Sequence, residues 1–192
     1  MKTGVLASGS GTNLQALIDA WRDRSLAPAE LVVVGSNNAG CLALERAQKV
    51  GIETFVLSHK AFATREDFDR ALVTELRSRS VELVVLAGFM RVLKPGFLTA
   101  FTRKIVNLHP SLLPSFPGLD GVGQAWRRGV KVTGCTVHYV TPDVDGGPII
   151  DQTAVRIGPD DTLESLADRI HTAEHVLLPE VIARLSLAGE IG

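Results

Sequence analysis

The first 109 residues alternate between short apolar segments and helical segments, and this alternation limits the possible folds more than any other feature. Runs rich in valine, leucine and isoleucine predict strands at 4–8, 31–36, 53–58, 81–88 and 104–109. Helical spacing predicts helices between them, from Thr12 onward and at 42–50, 65–79 and 94–101. Strands that alternate with helices form largely parallel sheets, because each crossover returns over one face of the sheet. We therefore predict an α/β fold with helices on both faces and a Rossmann-like N-terminal half.

The rest of the chain follows a different pattern. Residues 109–118 contain several prolines and are predicted to form an irregular loop. Two alternating segments, 132–140 and 148–157, are predicted to pair as a ribbon. The ribbon extends the predicted sheet, which is twisted and mostly parallel, to about seven strands within a single domain.

The composition is that of an ordinary globular protein, with 45% hydrophobic and 21% charged residues. A net charge of -1 provides no bulk attraction to nucleic acids or anionic membranes. No apolar run reaches the roughly 20 residues of a membrane span, and the first residues lack the pattern of a signal peptide. Cys41 and Cys135 have no metal-type spacing and suit a reducing compartment. These features predict a cytoplasmic protein without a metal, a nucleic-acid partner or a membrane partner.

A glycine-rich segment joins the first strand to the first helix. Its sequence, SGSGTN at 8–13, places a tight turn directly before a helix N-terminus. Backbone N–H groups and the helix dipole favour an anion there, and Thr12 and Asn13 can add side-chain donors. No Lys-Ser/Thr pair follows the glycines, and Leu14 occupies the third glycine position of a dinucleotide fingerprint. We interpret the segment as a cradle for a single phosphate; the open alternative is a plain turn that uses glycine for its geometry.

Two polar side chains end the fifth predicted strand. Asn107 and His109 are separated by one residue, so they share a face of the strand with Ile105. Open α/β sheets bind ligands at the carboxyl ends of their strands, where this pair lies. The pair therefore predicts a functional site, and the alternative is a hydrogen-bonded pair that anchors the proline-rich loop.

Two carboxylates are further candidates. Asp145 precedes two glycines that allow a tight turn toward the fifth strand, although an ordinary Asp-Gly turn is equally compatible. Asp161 and Glu164 match a capping box for the last helix, which should run to about residue 187. Glu174 falls within the apolar stripe of that helix, where a carboxylate needs either an internal partner or a ligand. His138 lies in an alternating strand, where a hydrogen-bonded core histidine is the ordinary interpretation.

Segments along essentially the whole chain resemble those of the glycinamide ribonucleotide formyltransferases. In order they are SGSGTNLQALIDA, SNNAGCLALERA, LAGFMRVL, NLHPSLLPSFPG and VTPDVDGGPII. The NLHPSLLP and Asp-Gly-Gly segments are shared by the wider formyl-transfer superfamily, whereas SGSGTNLQ is more specific to the ribonucleotide enzymes. The resemblance implies transfer of a formyl group from 10-formyltetrahydrofolate to the amine of 5'-phosphoribosylglycinamide in purine synthesis. The implied route is direct attack through a tetrahedral intermediate, with no metal.

The resemblance also implies roles for individual residues. Asn107, His109 and Asp145 match a catalytic trio. Contacts to the substrate phosphate and ribose are implied at Gly11, Thr12, Asn13, Arg65 and Glu174. Folate contacts are implied at Phe89, Met90, Arg91, Val92, Leu93, Asn107, Thr141, Asp143 and Asp145. On this basis one domain spans residues 1–192, with a phosphate- and ribonucleotide-binding half at 1–100 and a catalytic and folate-binding half at 101–192.

One segment departs from the family pattern, and other activities share the same residues. Asp120, at the start of DGVGQAW, stands where relatives commonly carry histidine, so the role of residues 120–126 stays open. Hydrolysis of formyltetrahydrofolate would use the same trio, but those relatives carry an additional N-terminal regulatory domain. Transfer to initiator methionyl-tRNA would call for a basic C-terminal domain, and a non-catalytic nucleotide-binding module would not need the trio. We expect small-molecule substrates and a monomer or homodimer.

Overall fold

The predicted strands assemble into one sheet in the computed structural model, which describes residues 1–188. The sheet has seven strands in the order β3-β2-β1-β4-β5-β6-β7. Their bounds are β1 Lys2–Leu6, β2 Glu30–Ser36, β3 Glu53–Val56, β4 Leu83–Leu86, β5 Ile105–His109, β6 Val132–Tyr139 and β7 Ile149–Arg156. β1 to β5 pair in parallel, and β6 and β7 add antiparallel strands at one edge. The predicted α/β class and mostly parallel sheet are confirmed, while residues 189–192 of the predicted domain lie outside the described residues.

Helices cover both faces of this sheet because its strands are apolar on both sides. The helices are α1 Thr12–Arg22, α2 Leu42–Lys49, α3 Arg65–Ser78, α4 Pro95–Ala100, α5 Gly121–Arg128 and α6 Leu163–Ala188. Buried residues of α1, α2 and α6 share one core with Val5 and Val85, whereas α3 and α4 share a second core with Leu6 and Val84. Neighbouring strand residues thus point into opposite cores, as the pleat of a strand requires. None of the helices within residues 1–188 combines the length and apolarity that a membrane span requires.

Strands are added to one side of β1 first and then, from β4 onward, to its other side. This reversal of strand order opens a crevice. β1 lies between β2 and β4, so the connections that follow β1 and β4 leave toward opposite sides. Ligands of open α/β sheets bind at such a switch point, outside the carboxyl ends of the strands. Ser8, directly after β1, donates its backbone N–H to the Gly88 carbonyl (3.1 Å) and accepts from the Met90 N–H (2.9 Å). The Ser8 hydroxyl also donates to Asn37 Oδ1 (2.6 Å), so one side chain joins three loops at this edge.

The last helix begins differently from the sequence prediction. The predicted capping box of Asp161 and Glu164 is wrong, because Thr162 occupies the N-cap position before Leu163. The Thr162 hydroxyl accepts from the Ser165 N–H (3.1 Å), and the Ser165 hydroxyl accepts from the Thr162 N–H (3.0 Å). Asp161 instead accepts from the Gly158 N–H (2.6 Å), which fixes the preceding turn. A hydroxyl can fulfil the reciprocal role that glutamate has in the usual capping box.

We expect Thr162→Ala to lower the free energy of unfolding by about 1 kcal/mol, because the substitution leaves a donor of the first helical turn without its partner. Urea denaturation followed by far-ultraviolet circular dichroism measures the change. Glu164→Ala is the matched control, since Glu164 is exposed and makes no capping contact, and it should shift the midpoint little. Equal losses in both variants would restore the Asp161–Glu164 interpretation.

Candidate active site

β5 presents Asn107 and His109 on one face, as the strand alternation predicts. Ile105 packs in the core formed with α3 and α4, whereas Val106 and Leu108 pack in the opposite core. Asn107 and His109 continue the row begun by Ile105 toward the carboxyl end of the strand. His109 is buried and Asn107 is half-buried, so the two side chains form the floor of a partly enclosed site.

Asp145 reaches these residues from the loop between β6 and β7. Its Oδ2 atom lies 3.3 Å from His109 Nδ1 and accepts from the Gly118 N–H at 2.7 Å. The residue has a φ of 53°, a left-handed conformation that side-chain-bearing residues adopt rarely and mostly at constrained sites. The structure therefore brings Asn107, His109 and Asp145 together, although they are far apart along the chain.

The imidazole of His109 lies between two acceptors. His109 Nε2 lies 2.8 Å from the Phe116 carbonyl oxygen, to which only an N–H can donate. Nδ1 faces the carboxylate of Asp145 on the other side of the ring. Both nitrogens can donate at once only when the ring is doubly protonated, and Asp145 then supplies the counter-charge. The ring is thus placed to hold a proton next to Asn107.

His138 is a member of this cluster that the sequence interpretation missed. It pairs directly with Asn107 across the antiparallel ladder between β5 and β6, and His138 Nε2 lies 3.1 Å from Asn107 Nδ2. The predicted core histidine is indeed buried and hydrogen-bonded, but its partner is a member of the trio. Burial lowers the pKa of His138, and Asp145 Oδ1, at 3.6 Å from Nε2, acts in the opposite direction. The alternation of β6 places His138 on one face of the strand, but only the register with β5 shows that it lies opposite Asn107.

The glycine-rich segment forms a tight turn at the start of α1. Gly11 occupies the N-cap position with a φ of 70°, and a Cβ atom there would lie 2.7 Å from Ala43 Cα. Only glycine satisfies both the backbone conformation and this close approach to α2. No side chain caps α1 and no acidic residue occupies its first turn, so its first N–H groups are open to a ligand. Thr12 and Asn13 are the first two residues of the helix, as the predicted phosphate cradle requires.

Glu174 has an internal partner at the edge of this cradle. Asn13 Nδ2 donates to Glu174 Oε2 at 3.0 Å, whereas Asn13 Oδ1 is buried without a hydrogen-bond partner among residues 1–188. The pKa of Glu174 is raised by burial, and the hydrogen bond from Asn13 opposes that shift. An orphaned buried acceptor beside a buried carboxylate suits a ligand that carries hydroxyl groups. Arg65 lies exposed at the start of α3, and within residues 1–188 it forms no hydrogen bond or ion pair with the cradle residues.

The segment after β4 combines buried anchors with exposed apolar side chains. Phe89 and Leu93 are buried in the core with α3 and α4, so their side chains hold the segment in place. Met90 and Val92 between them are 66% and 60% exposed. Exposed apolar side chains on a fixed loop are typical of a binding surface for a flat apolar ligand. Two neighbouring contacts stabilise the segment: the Arg91 guanidinium lies over the Phe68 ring, and the Asp69 carboxylate accepts from the Lys94 N–H (2.6 Å).

The other predicted folate residues lie on the loop that carries Asp145. Thr141 is half-buried and its hydroxyl donates to the Asp143 carbonyl at 3.3 Å. The Asp143 side chain is exposed, and no ion pair holds it within residues 1–188. Both residues are therefore close to Asp145 along the chain, but the side chain that contacts His109 is that of Asp145.

The divergent segment at 120–126 is part of a well-defined helix start. Asp120 is the N-cap of α5; it accepts from the Gly123 N–H at 3.2 Å and pairs with Arg127. Gln124 Nε2 donates to the carbonyls of Pro117 and Leu119. Asp120 therefore fixes the start of α5, and Gln124 on that helix holds the loop that contributes Gly118 to Asp145.

Other possible sites lie apart from the trio. A groove of about 600 Å³ runs between α1, α2 and α6, and Thr12, Arg46 and His175 are among its lining residues, but no member of the trio lines it. Within residues 1–188 no group of His, Cys, Asp and Glu side chains is arranged to hold a metal ion. Cys41 and Cys135 are buried, and burial raises the pKa of Cys135 to about 12, so its thiol stays neutral.

A family model for formyl transferases matches residues 1–182, nearly the whole chain. The chain belongs to the formyl transferase family. Relatives that match this chain over nearly its whole length are named as formyltransferases, in agreement with the predicted enzyme class.

Individual relatives and solved structures show which kind of formyl transferase this chain resembles. The phosphoribosylglycinamide formyltransferase of Bacillus subtilis is 44% identical over 185 residues, which cover 96% of this chain and 94% of that protein. The crystal structure of glycinamide ribonucleotide transformylase 1 from Symbiobacterium toebii matches with a TM-score of 0.95 and 47% identity, covering 98% of this chain and 88% of that one. The predicted resemblance to glycinamide ribonucleotide formyltransferases is confirmed by these matches.

Some relatives are much longer proteins. The trifunctional purine biosynthetic protein adenosine-3 of Drosophila melanogaster is 50% identical over 185 residues, which cover 96% of this chain. The matched region is 14% of that protein, so this chain corresponds to a small part of the trifunctional relatives.

We expect Glu174→Gln to stabilise the fold at neutral pH by about 1 kcal/mol, because it removes a buried charge and keeps an acceptor for Asn13. The sign follows from the raised pKa of Glu174. Protonation of Glu174 stabilises the native state at low pH, and that contribution is lost as the pH rises through the folded-state pKa. The difference in unfolding free energy between the variant and the wild type should therefore grow as the pH rises above the ordinary pKa of a glutamate.

Urea denaturation at several pH values measures this difference. Glu180→Gln on the exposed side of the same helix is the control and should show no such pH dependence. A Glu174→Gln variant that is less stable than the wild type at pH 8 would contradict the interpretation of Glu174 as a buried charge that costs stability.

Proposed function

We propose that this chain transfers the formyl group of 10-formyltetrahydrofolate to the amine of 5'-phosphoribosylglycinamide, a step of purine synthesis. The observation that carries the proposal is the contact of 3.3 Å between His109 and Asp145 beside Asn107. The uncapped N-terminus of α1 lies at the same edge of the sheet, because β1 and β5 run parallel and both end there. The names of the full-length relatives and structures that match this chain support the same reaction.

The ribonucleotide would bind along the start of α1. Gly11, Thr12 and Asn13 present backbone N–H groups to a phosphate, which needs no cationic side chain at such a terminus. The ribose hydroxyls would donate to Glu174 and to the orphaned Oδ1 atom of Asn13. Arg65, which is exposed and without an ion pair in residues 1–188, is available as an additional phosphate contact.

The formyl donor would bind on the segment after β4. Met90 and Val92 offer apolar surface to a pterin ring, while the backbone groups of Phe89, Arg91 and Leu93 supply hydrogen bonds. Thr141, Asp143 and Asp145 would border the ring from the β6–β7 loop. The buried side chains of Phe89 and Leu93 keep this segment rigid, and a rigid segment lowers the ordering cost of binding.

The chemistry would be a direct attack of the substrate amine on the formyl carbon. Negative charge then grows on the formyl oxygen. The second N–H of the Asn107 amide would stabilise it, and the Nε2–H of His109 would join once it exchanges the Phe116 carbonyl for the formyl oxygen. Oriented donors of this kind are each worth about 3 kcal/mol in other enzymes. Asp145 would hold the protonated imidazole and relay the proton from the attacking nitrogen to the departing folate nitrogen, through a water molecule.

The remaining expectations are part of the same proposal. The substrates are small molecules, the protein acts in the cytoplasm as a monomer or a homodimer, and the trio carries out the reaction without a metal. Residues 1–100 would supply most contacts to the ribonucleotide, and residues 101–192 most of the catalytic groups. Hydrolysis of formyltetrahydrofolate is the second candidate, and the named relatives favour the transferase over it.

An assay with two arms tests the activity. The protein is incubated with 10-formyltetrahydrofolate, with and without 5'-phosphoribosylglycinamide, and release of tetrahydrofolate is followed. Release that requires the ribonucleotide supports the transferase. Release without it would identify a hydrolase, and no release in either arm would favour a non-catalytic binding module.

Substitutions of the trio test the assigned roles. Asp145→Asn and His109→Ala should each lower kcat by about 100-fold or more, because each removes a group that acts on the developing charge or the proton. Ribonucleotide affinity, measured by calorimetry, should stay within about threefold, since neither residue lies at the α1 cradle. Asp160→Asn, at an exposed position outside the site, is the control and should retain the wild-type kcat. Near-normal kcat in either trio variant would refute the roles.

A further inference from the structure

His138 stands directly opposite Asn107 in the ladder between β5 and β6. Its side chain is 2% exposed and contacts two members of the trio, Asn107 and Asp145. The mechanism proposed above assigns it no task. A buried titratable ring that touches two reacting groups needs its own account, because its protonation state changes which hydrogen bonds those groups can make.

We propose that His138 is a positioning residue that determines which way the amide of Asn107 points. The inference rests on the proposed function only for the identity of the ligand that Asn107 meets. The structural part concerns three groups in a row: the Tyr139 carbonyl oxygen, the His138 ring and the Asn107 amide nitrogen.

The hydrogen bonds of the ring determine its tautomer. His138 Nδ1 lies 2.9 Å from the Tyr139 carbonyl oxygen, which can only accept, so Nδ1 carries the hydrogen. In the neutral ring Nε2 then has a lone pair and needs a donor. The Asn107 amide nitrogen, at 3.1 Å, is the donor that meets this lone pair. The opposite orientation of the amide would place the Asn107 oxygen against the lone pair, which is repulsive.

The orientation of the amide matters for catalysis because an amide has one donating and one accepting end. With one N–H bonded to His138, the second hydrogen of the same nitrogen is left for a ligand. Asn107 then stabilises negative charge on an oxygen. An amide turned by half a rotation would present its own oxygen at the nitrogen's position and would repel that charge.

Protonation of His138 would reverse this preference. The charged ring carries hydrogens on both nitrogens, so Nε2 would donate, either to the Asn107 oxygen after rotation of the amide or to Asp145 Oδ1 at 3.6 Å. Either outcome disturbs the trio. Two titratable groups face the ring: Asp145 favours its charged form and His109 disfavours it. Burial acts with His109 and lowers the pKa of His138, so the neutral form prevails near neutral pH.

Two substitutions separate this positioning role from simple packing. In His138→Gln, the side-chain oxygen can take the place of Nε2 and accept from Asn107, but it cannot be protonated. His138→Leu fills similar space and accepts no hydrogen bond. We expect the Gln variant to keep kcat within about threefold of the wild type at neutral pH and to lose less kcat on acidification. The Leu variant should lose kcat by about tenfold or more, with the KM of the ribonucleotide nearly unchanged.

His59→Gln is the matched control, because the pKa of His59 is also lowered but the residue lies in the short turn His59–Ala61. Its kcat and pH profile should match those of the wild type. Equal losses of kcat in the Gln and Leu variants would overturn the proposal, since accepting a hydrogen bond would then make no difference. A wild-type kcat in the Leu variant would overturn it as well.

A spectroscopic measurement keeps the inference testable without any activity. The side-chain amide signals of Asn107 in ¹⁵N-labelled protein should shift on acidification in the wild type, and that shift should shrink in His138→Gln. A shift of the same size in His138→Gln as in the wild type would refute the coupling between His138 and Asn107. If the signals behave as expected but no formyl transfer occurs in any variant, the positioning role stands and the proposed reaction fails.

Discussion

The carboxylate of Asp145 is the interaction on which the geometry of the site depends. It contacts His109 on β5 and accepts from the Gly118 N–H, so the β6–β7 loop, the central sheet and the proline-rich loop meet at one side chain. The backbone around it leaves little freedom. Asp145 itself is left-handed, and a Cβ atom on Gly147 would lie 1.8 Å from the Tyr139 carbonyl oxygen. Close backbone packing thus holds the loop in place and positions the carboxylate next to His109 on β5.

The apolar surroundings raise the free-energy cost of burying this polar cluster, and they also strengthen its electrostatic interactions. Both faces of the sheet pack against helices, and the site occupies the position where one of these cores gives way to Asn107, His109 and His138. A buried charge is costly unless it is paired, and a buried donor is strong only when its direction is fixed. Asp145 provides the pairing and His138 provides the direction. Function is expected where polar residues occupy positions that the rest of the fold fills with apolar side chains, and such positions lower the stability of the fold.

The sequence alone predicted a mostly parallel sheet, the order of strands and helices along the chain and two neighbouring members of the cluster, for reasons that can be named. Alternation in β5 places Asn107 and His109 on one face without any tertiary information. The contact of Asp145 with His109 depended on the family resemblance, since an Asp-Gly turn is too common to predict a partner. His138 was missed because its importance depends on the register between β5 and β6, and periodicity within one strand carries no register. The start of α6 was misjudged because Thr162 and Ser165 form the same reciprocal cap with hydroxyls.

The pairing of Asn13 with Glu174 shows a different limit, and it also shows how the molecule is organised. Helical periodicity predicts that Glu174 is buried, but it cannot name a partner near the other end of the chain. That contact joins α1 to α6, while Ser8 joins the cradle to Met90 on the segment after β4. Each proposed ligand would therefore meet residues from both parts of the chain. The sites proposed for the formyl donor and the ribonucleotide would lie side by side at the switch point of the sheet, because strand order, and not sequence order, decides which loops are neighbours.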